Sequence, residues 1–192
     1  AMIQAMRILG RQFVMGRTIG EALGRAREEE DRGDRISFDM LGEAARTAED
    51  AERYFQAYAD AIVAIADQAM GDDVIGNPGI SVKLSALHPR YELAQRHRVR
   101  TELLPRLKRL SVLAMESGIG LCVDAEEAAF LDLSLDIIEG ISADPDFDGW
   151  DGFGLAVQAY QKCGPAALEW LADMAGRHRR RLMVRLGKGA YW

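Results

Sequence analysis

Apolar positions along the chain change period repeatedly, from every third or fourth residue to every second residue and back, and each change marks an element. "TIGEALGRAREEEDRG" has helical spacing, with Thr18 as the expected N-cap, Glu21 three residues on and Gly33 as the expected stop. "RISFDML" reads as a strand. "TAEDAERYFQAYADAIVAIADQAM" then reads as a long amphipathic helix opened by Thr47, with Asp50 completing a capping-box variant. After a turn at "GNPG" the beat repeats. "ISVKLSAL" is a strand and "VRTELLPRLKRLSVLAMESG" a helix, followed by the strand "IGLCVDAEEA" and the helix "LDLSLDIIEGIS". "GFGLAVQAY" is a fourth strand, "PAALEWLADMAGRH" its helix with Pro165 near the first turn, and "RLMVRLGKGAYW" a fifth strand. The expected organisation is a helical lead-in over residues 1–34 and an α/β unit over residues 35–192.

Strands alternating with helices imply parallel pairing through crossovers, with the helices outside. Two architectures fit: a doubly wound open sheet and an eight-fold β/α barrel. Polar residues at the strand ends favour the barrel. Toward the carboxyl ends stand Asp39 and Glu43 on the first strand, Lys83 on the second, and Asp124 and Glu126 on the third; Gln158 and Lys162 follow the fourth, and Arg185 and Lys188 are on the fifth. Charged side chains are rarely buried unless paired, so one polar group per strand end points to a shared site on a barrel rim. Structural readings stand beside this one. Asp39 and Glu43 suit helix capping equally well, and Asp124 with Arg185 suits a plain ion pair. Lys83 is the least comfortable structurally, since an unpaired ammonium in an apolar strand costs several kcal/mol. His88 reads as a turn residue before Pro89.

Composition narrows the classes. The 192 residues are 48% apolar and 28% charged with a net charge of −6, a globular composition without a basic footprint for nucleic acid. Cys122 and Cys163 lie far apart and read as free thiols of a reducing, cytoplasmic compartment. No apolar run is long enough to span a bilayer. Metal binding is not expected, because HExxH and CxxC are absent and the three histidines have unrelated spacings. "GKG" is not a Walker loop, since no glycine stands five residues before it and no Ser or Thr follows the lysine; GxSxG is absent as well.

Taken in order, "SFDMLGEAA", "GISVKLSALHPRY", "VDAEEA", "VQAYQK" and "RLGKGAYW" resemble the proline dehydrogenase domain of bacterial bifunctional proline utilisation A flavoproteins, over Met6 to Trp192. The resemblance implies a distorted eight-fold β/α barrel, here with five of eight units, and the cofactor FAD. It implies oxidation of L-proline to 1-pyrroline-5-carboxylate, with electrons passed to a quinone by a cytoplasmic, peripherally membrane-associated parent. By the same resemblance Lys83 pairs with the proline carboxylate, Arg185 lies by the reactive flavin nitrogen, and Asp124 holds Arg185. Gln158 bonds the pyrimidine edge of the ring, while Lys188, Gly189, Ala190 and Trp192 hold the cofactor and Asp39 and Tyr191 shape the substrate side. Gly187 departs from the β-branched aliphatic residue usual there, which is expected to loosen the strand. The chain reads as a piece of a larger protein that lacks the arginine pair clamping the substrate carboxylate. It is therefore expected to be inactive alone and to associate with itself by way of unpaired strand edges and an apolar barrel interior. Two other functions stay open: a barrel lyase using Lys83 as a Schiff base, and an inert folding or interaction fragment.

Overall fold

The computed structural model describes residues 14–71 and 73–189. Helix α1 (Ile19–Glu30) starts where expected, with Thr18 Oγ1 accepting the Glu21 N–H at 3.2 Å. Gly33 closes the following turn at φ 97°, a backbone conformation that glycine adopts without strain. Strand β1 (Ser37–Asp39) leads to helix α2 (Ala48–Ala66), whose capping box is complete: Thr47 Oγ1 accepts the Asp50 N–H, and Asp50 Oδ2 accepts the Thr47 N–H. One stripe of α2, including Phe55, Tyr58, Ile62 and Ile65, is buried. Each large apolar side chain so buried contributes about 1.5–3 kcal/mol.

Strand β2 (Gly79–Val82) is shorter than its apolar run suggests. The run leaves the sheet at Lys83, and Leu84–Leu87 form a single buried helical turn, α3. A short apolar run does not separate a strand from a buried turn, so the pattern alone misassigns "LSAL". Helical residues Leu93–Leu103, with a π-turn at Val99–Leu103, then run into helix α4 (Leu104–Glu116). Pro105 sits at this junction. It has no N–H to offer the carbonyl four residues back, which accounts for the local change of register.

Strand β3 (Gly120–Val123) likewise stops before "DAEEA", of which Asp124 to Glu127 are loop and Ala128 opens a 3-10 turn. Helix α5 (Leu131–Ser142), strand β4 (Phe153–Gln158), helix α6 (Gly164–His178) and strand β5 (Met183–Gly187) complete the order. All neighbouring strands pair in parallel, in the order β1-β2-β3-β4-β5. A doubly wound sheet reverses its strand order at a switch point, and this one does not. An unreversed run of parallel β/α units is the sector of a barrel wall.

The two sheet faces differ in chemistry because side chains alternate. Phe38, Ile80, Val82, Leu121, Val123, Phe153, Leu155 and Val157 are all buried in the core cluster under the helices. The opposite, inner face carries Ser37, Asp39, Gly79, Ser81, Gly120, Cys122, Gly154, Ala156, Gln158, Met183, Arg185 and Gly187 in matching register. The expectation of an apolar interior holds only in part: this face mixes small residues with polar ones, and Met183 is its one large apolar side chain. Exposed apolar groups on the sheet are instead Val184, 43% exposed, and Leu186, 62% exposed, both on the outer face of β5.

Candidate active site

Four of the expected residues meet at the carboxyl ends of the strands. Lys83 Nζ lies 2.5 Å from Asp39 Oδ1 and 3.0 Å from Asp124 Oδ2, and Arg185 Nη2 bonds the other Asp124 oxygen. The result is an alternating chain, Asp39–Lys83–Asp124–Arg185, with two positive and two negative charges. Backbone geometry sets it up. Lys83 and Asp124 each follow the last residue of their strands, and the Asp124 N–H donates to the Val82 carbonyl, so the ladder continues one step further. Arg185 reaches Asp124 across β4 because the inner positions there are Gly154 and Ala156.

Lys83 is buried and Arg185 is half-exposed, with side-chain exposures of 10% and 47%. Burial alone would lower the Lys83 pKa. The Asp39 hydrogen bond and the Asp124 charge outweigh it and hold the ammonium well above its ordinary value. A Schiff-base nucleophile must lose its proton first, so this environment disfavours the lyase reading. Two of the three ammonium hydrogens are engaged by Asp39 and Asp124. One donor remains for a ligand.

The site has supporting residues that the sequence reading passed over. Tyr58 Oη accepts the Lys83 backbone N–H at 3.2 Å from α2, on the far side of the sheet, and burial pushes its phenol up to about 12. Ser81 Oγ accepts Arg185 Nη1–H at 2.9 Å and lies 3.2 Å from Ser37 Oγ. Burial pushes the Cys122 thiol up to about 11, so it faces Arg185 uncharged. Ser81 was within reach of pattern reading, because Gly79, Ser81 and Lys83 alternate along one face of "GISVK". Tyr58 left no signal, since nothing local distinguishes it from other buried residues of α2.

Gln158 stands nearby but is engaged: its Nε2 donates to the Glu126 carbonyl at 2.9 Å, and its Oε1 accepts from Gln161 at 3.1 Å. Glu126 accepts from both the backbone N–H and the hydroxyl of Ser85, and burial raises its carboxyl above the ordinary range despite those bonds. Lys162 is exposed. Lys188 is exposed too, and its carbonyl accepts the Tyr160 N–H. Gly189 has φ 109°, and a Cβ there would stand 2.1 Å from the Tyr160 ring, so the glycine is doubly required. Ala190, Tyr191 and Trp192 lie outside the described residues.

Gly187 is the last residue of β5, paired with Gln158, and the Ala159 N–H donates to its carbonyl at 2.7 Å. A Cβ there would meet only the Val157 carbonyl at 4.0 Å, leaving the inner face open. His88 is a buried structural residue: its Nδ1 accepts the Arg90 N–H, which leaves Nε2 to donate to Glu102 at 3.1 Å. Among the described residues no cluster of His, Cys, Asp and Glu could hold a metal ion, and no helix is long and apolar enough to cross a membrane.

Comparison with known proteins follows the same lines. The proline dehydrogenase family profile matches residues 22–192. The chain is 54% identical, over 98% of its length, to the bifunctional protein PutA of Salmonella typhimurium, and 54% identical over the same share to that of Rhizobium meliloti. It spans only 14% and 15% of those proteins. A crystal structure of a Bradyrhizobium japonicum PutA mutant matches 97% of this chain with 53% identity and a TM-score of 0.85, using 19% of its own length. The PutA of Bdellovibrio bacteriovorus, described as inactivated by N-propargylglycine, matches the whole chain at 25% identity with a TM-score of 0.92, over 21% of its length. An unreversed β/α barrel sector, a charged chain at the strand ends and these matches have one reading: the chain belongs to the proline dehydrogenase family.

Proposed function

We propose that this segment forms part of a proline-oxidising site, in which L-proline loses a hydride from the ring carbon beside nitrogen and a proton from nitrogen, giving 1-pyrroline-5-carboxylate. The observation that carries the reading is the Asp39–Lys83–Asp124–Arg185 chain at the strand ends, beside an inner face on which Gly154, Ala156 and Gly187 leave room around the Arg185 side chain. That face has the form a planar ring requires, and a half-exposed guanidinium stands over it. FAD fits: when bound, it supplies the two-electron acceptor for the hydride.

The roles of this chain's residues follow from their positions. The spare Lys83 hydrogen binds the substrate carboxylate, and its two carboxylate partners keep the ammonium charged. Arg185 would set a positive charge beside a bound flavin ring and so stabilise its reduced form, and Asp124 fixes the orientation of the guanidinium. Gln158 offers its second amide hydrogen to the ring edge, while Lys188 and Gly189 hold the phosphate side. Asp39 borders the substrate side. Electrons leave to a quinone at a membrane surface, with the whole protein cytoplasmic.

Arg185→Met in a full-length bifunctional protein carrying this segment tests the reading. Flavin reduction by proline should slow by about a hundredfold or more and the flavin potential should shift, since removing one preorganised hydrogen-bond donor typically costs about 2.7–4 kcal/mol in comparable sites. Unchanged potential and rate would make Arg185 structural only. Flavin titration of the 192-residue chain separates this reading from an inert fragment, which would leave free flavin fluorescence unquenched.

A further inference from the structure

Resting on that reading, we infer that Ser81 is a positioning residue for the proline-oxidising reaction: its hydroxyl holds the Arg185 guanidinium in the orientation that the Asp124 contact alone leaves free. One carboxylate oxygen on one guanidinium nitrogen defines a point of attachment and leaves rotation about it. A second acceptor on the other terminal nitrogen removes that freedom. Ser81 supplies it at 2.9 Å from Nη1, while Nη2 bonds Asp124.

Several observations make this contact more than a surface accident. Ser81 is fully buried, with 0% exposure, whereas the Arg185 side chain is half-exposed, so a buried hydroxyl anchors a side chain that reaches solvent. The two residues lie on β2 and β5 with two strands between them. The approach is open because the intervening inner positions are Cys122, Gly154 and Ala156, none of which carries a large side chain. Ser81 is also oriented in turn. Its oxygen accepts from Arg185 and lies 3.2 Å from Ser37 Oγ, a contact in which either hydroxyl can donate. Alanine at position 81 would leave Arg185 its charge and its Asp124 partner and remove only the second point of attachment.

The test is a double-mutant cycle of Ser81→Ala and Arg185→Met in a flavin-loaded full-length bifunctional protein carrying this segment, with flavin reduction by proline followed by stopped-flow absorbance and the flavin potential measured alongside. Ser81→Ala is expected to slow flavin reduction by about tenfold, the scale of one hydrogen bond to a charged group, and to move the potential in the same direction as Arg185→Met. On the Arg185→Met background it should change neither. Equal effects on both backgrounds, or no effect on either, overturn the proposal. The same cycle read as urea midpoints of the apoprotein needs no flavin. Coupled midpoints without reduction by proline would sink the functional reading and leave the hold of Ser81 on Arg185 intact; additive midpoints with normal reduction would sink the hold alone. Should Ser81→Ala fail to fold, Ser37→Ala takes its place in the cycle, since Ser37 is exposed and its loss frees the Ser81 hydroxyl. A smaller effect in the same direction that vanishes with Arg185→Met supports the proposal, and an additive or absent effect overturns it.

Discussion

Lys83 cannot be removed without leaving Asp39 and Asp124 turned toward each other across the space its ammonium filled. Breaking a buried pair by deleting one partner costs about 3–5 kcal/mol. Asp39 is half-exposed, so the lower end of that range applies. Lys83→Ala should therefore lower the urea-unfolding free energy by about 3 kcal/mol. In the full-length protein it should also raise the proline KM with flavin occupancy kept. An unchanged KM would argue against carboxylate binding.

Glu102 makes a pH-dependent contribution far from the site. Hydrogen bonds from Arg98 first, and His88 second, hold its carboxyl down at about 2, against an ordinary value of 4.5. A depressed carboxylate stabilises the fold above the unfolded value and loses that contribution as pH falls toward the folded one. The stability gap between the parent chain and Glu102→Gln should accordingly be present above 4.5 and close as pH falls to about 2. Urea midpoints measured at several pH values check this, and a gap that widens on acidification contradicts it.

At the scale of elements, the join of β4 to β5 depends on one glycine. A Cβ at Gly154 would stand 2.0 Å from the Met183 carbonyl oxygen, a backbone atom that cannot turn aside. Gly154→Ala should push β5 off the sheet and cost about 3 kcal/mol, at the upper end for overpacking. Gly187→Val is the contrasting case on the next strand. Its added side chain enters open space, and a β-branched residue suits a strand, so it should be neutral or stabilising by up to about 1 kcal/mol. Hydrogen exchange of the β5 amides should quicken in the first variant and not in the second. The opposite ranking would mean that β5 is held by something other than its pairing with β4.

Over the whole molecule, charge is balanced locally. In the basic run that ends α6, Arg177 pairs with Glu139, Arg180 with Asp148 and Arg181 with Asp151, so "RHRRR" is a paired surface instead of a nucleic-acid footprint. Apolar exposure is less balanced. Val184 and Leu186 stand exposed on the outer face of β5, where the other strands carry helix-covered core residues, and β5 has a neighbour on one side only among the described residues. An uncovered strand edge beside exposed aliphatic groups favours pairing with another chain. The 192-residue chain on its own should therefore run as a dimer or larger species in size exclusion with light scattering, and Leu186→Lys should shift it toward monomer. A monodisperse monomer of the parent chain would count against this contact.

Much of the architecture was legible in one dimension because it rests on local physics. The 3.6- and 2-residue periods, the Thr18 and Thr47 caps and the beat of five strands are consequences of side-chain spacing and backbone hydrogen bonding within short segments. The strand-end positions of Asp39, Lys83, Asp124 and Arg185 were legible for the same reason, as polar interruptions of apolar runs. Distance in space was not. That the strands follow one another unreversed, that small and polar residues share the inner face, that Lys83 answers to two carboxylates, and that Ser81 meets Arg185 104 positions away all depend on register between strands. No single segment encodes that register, because it is set when the helices bury their stripes against the sheet and every strand settles relative to its neighbours.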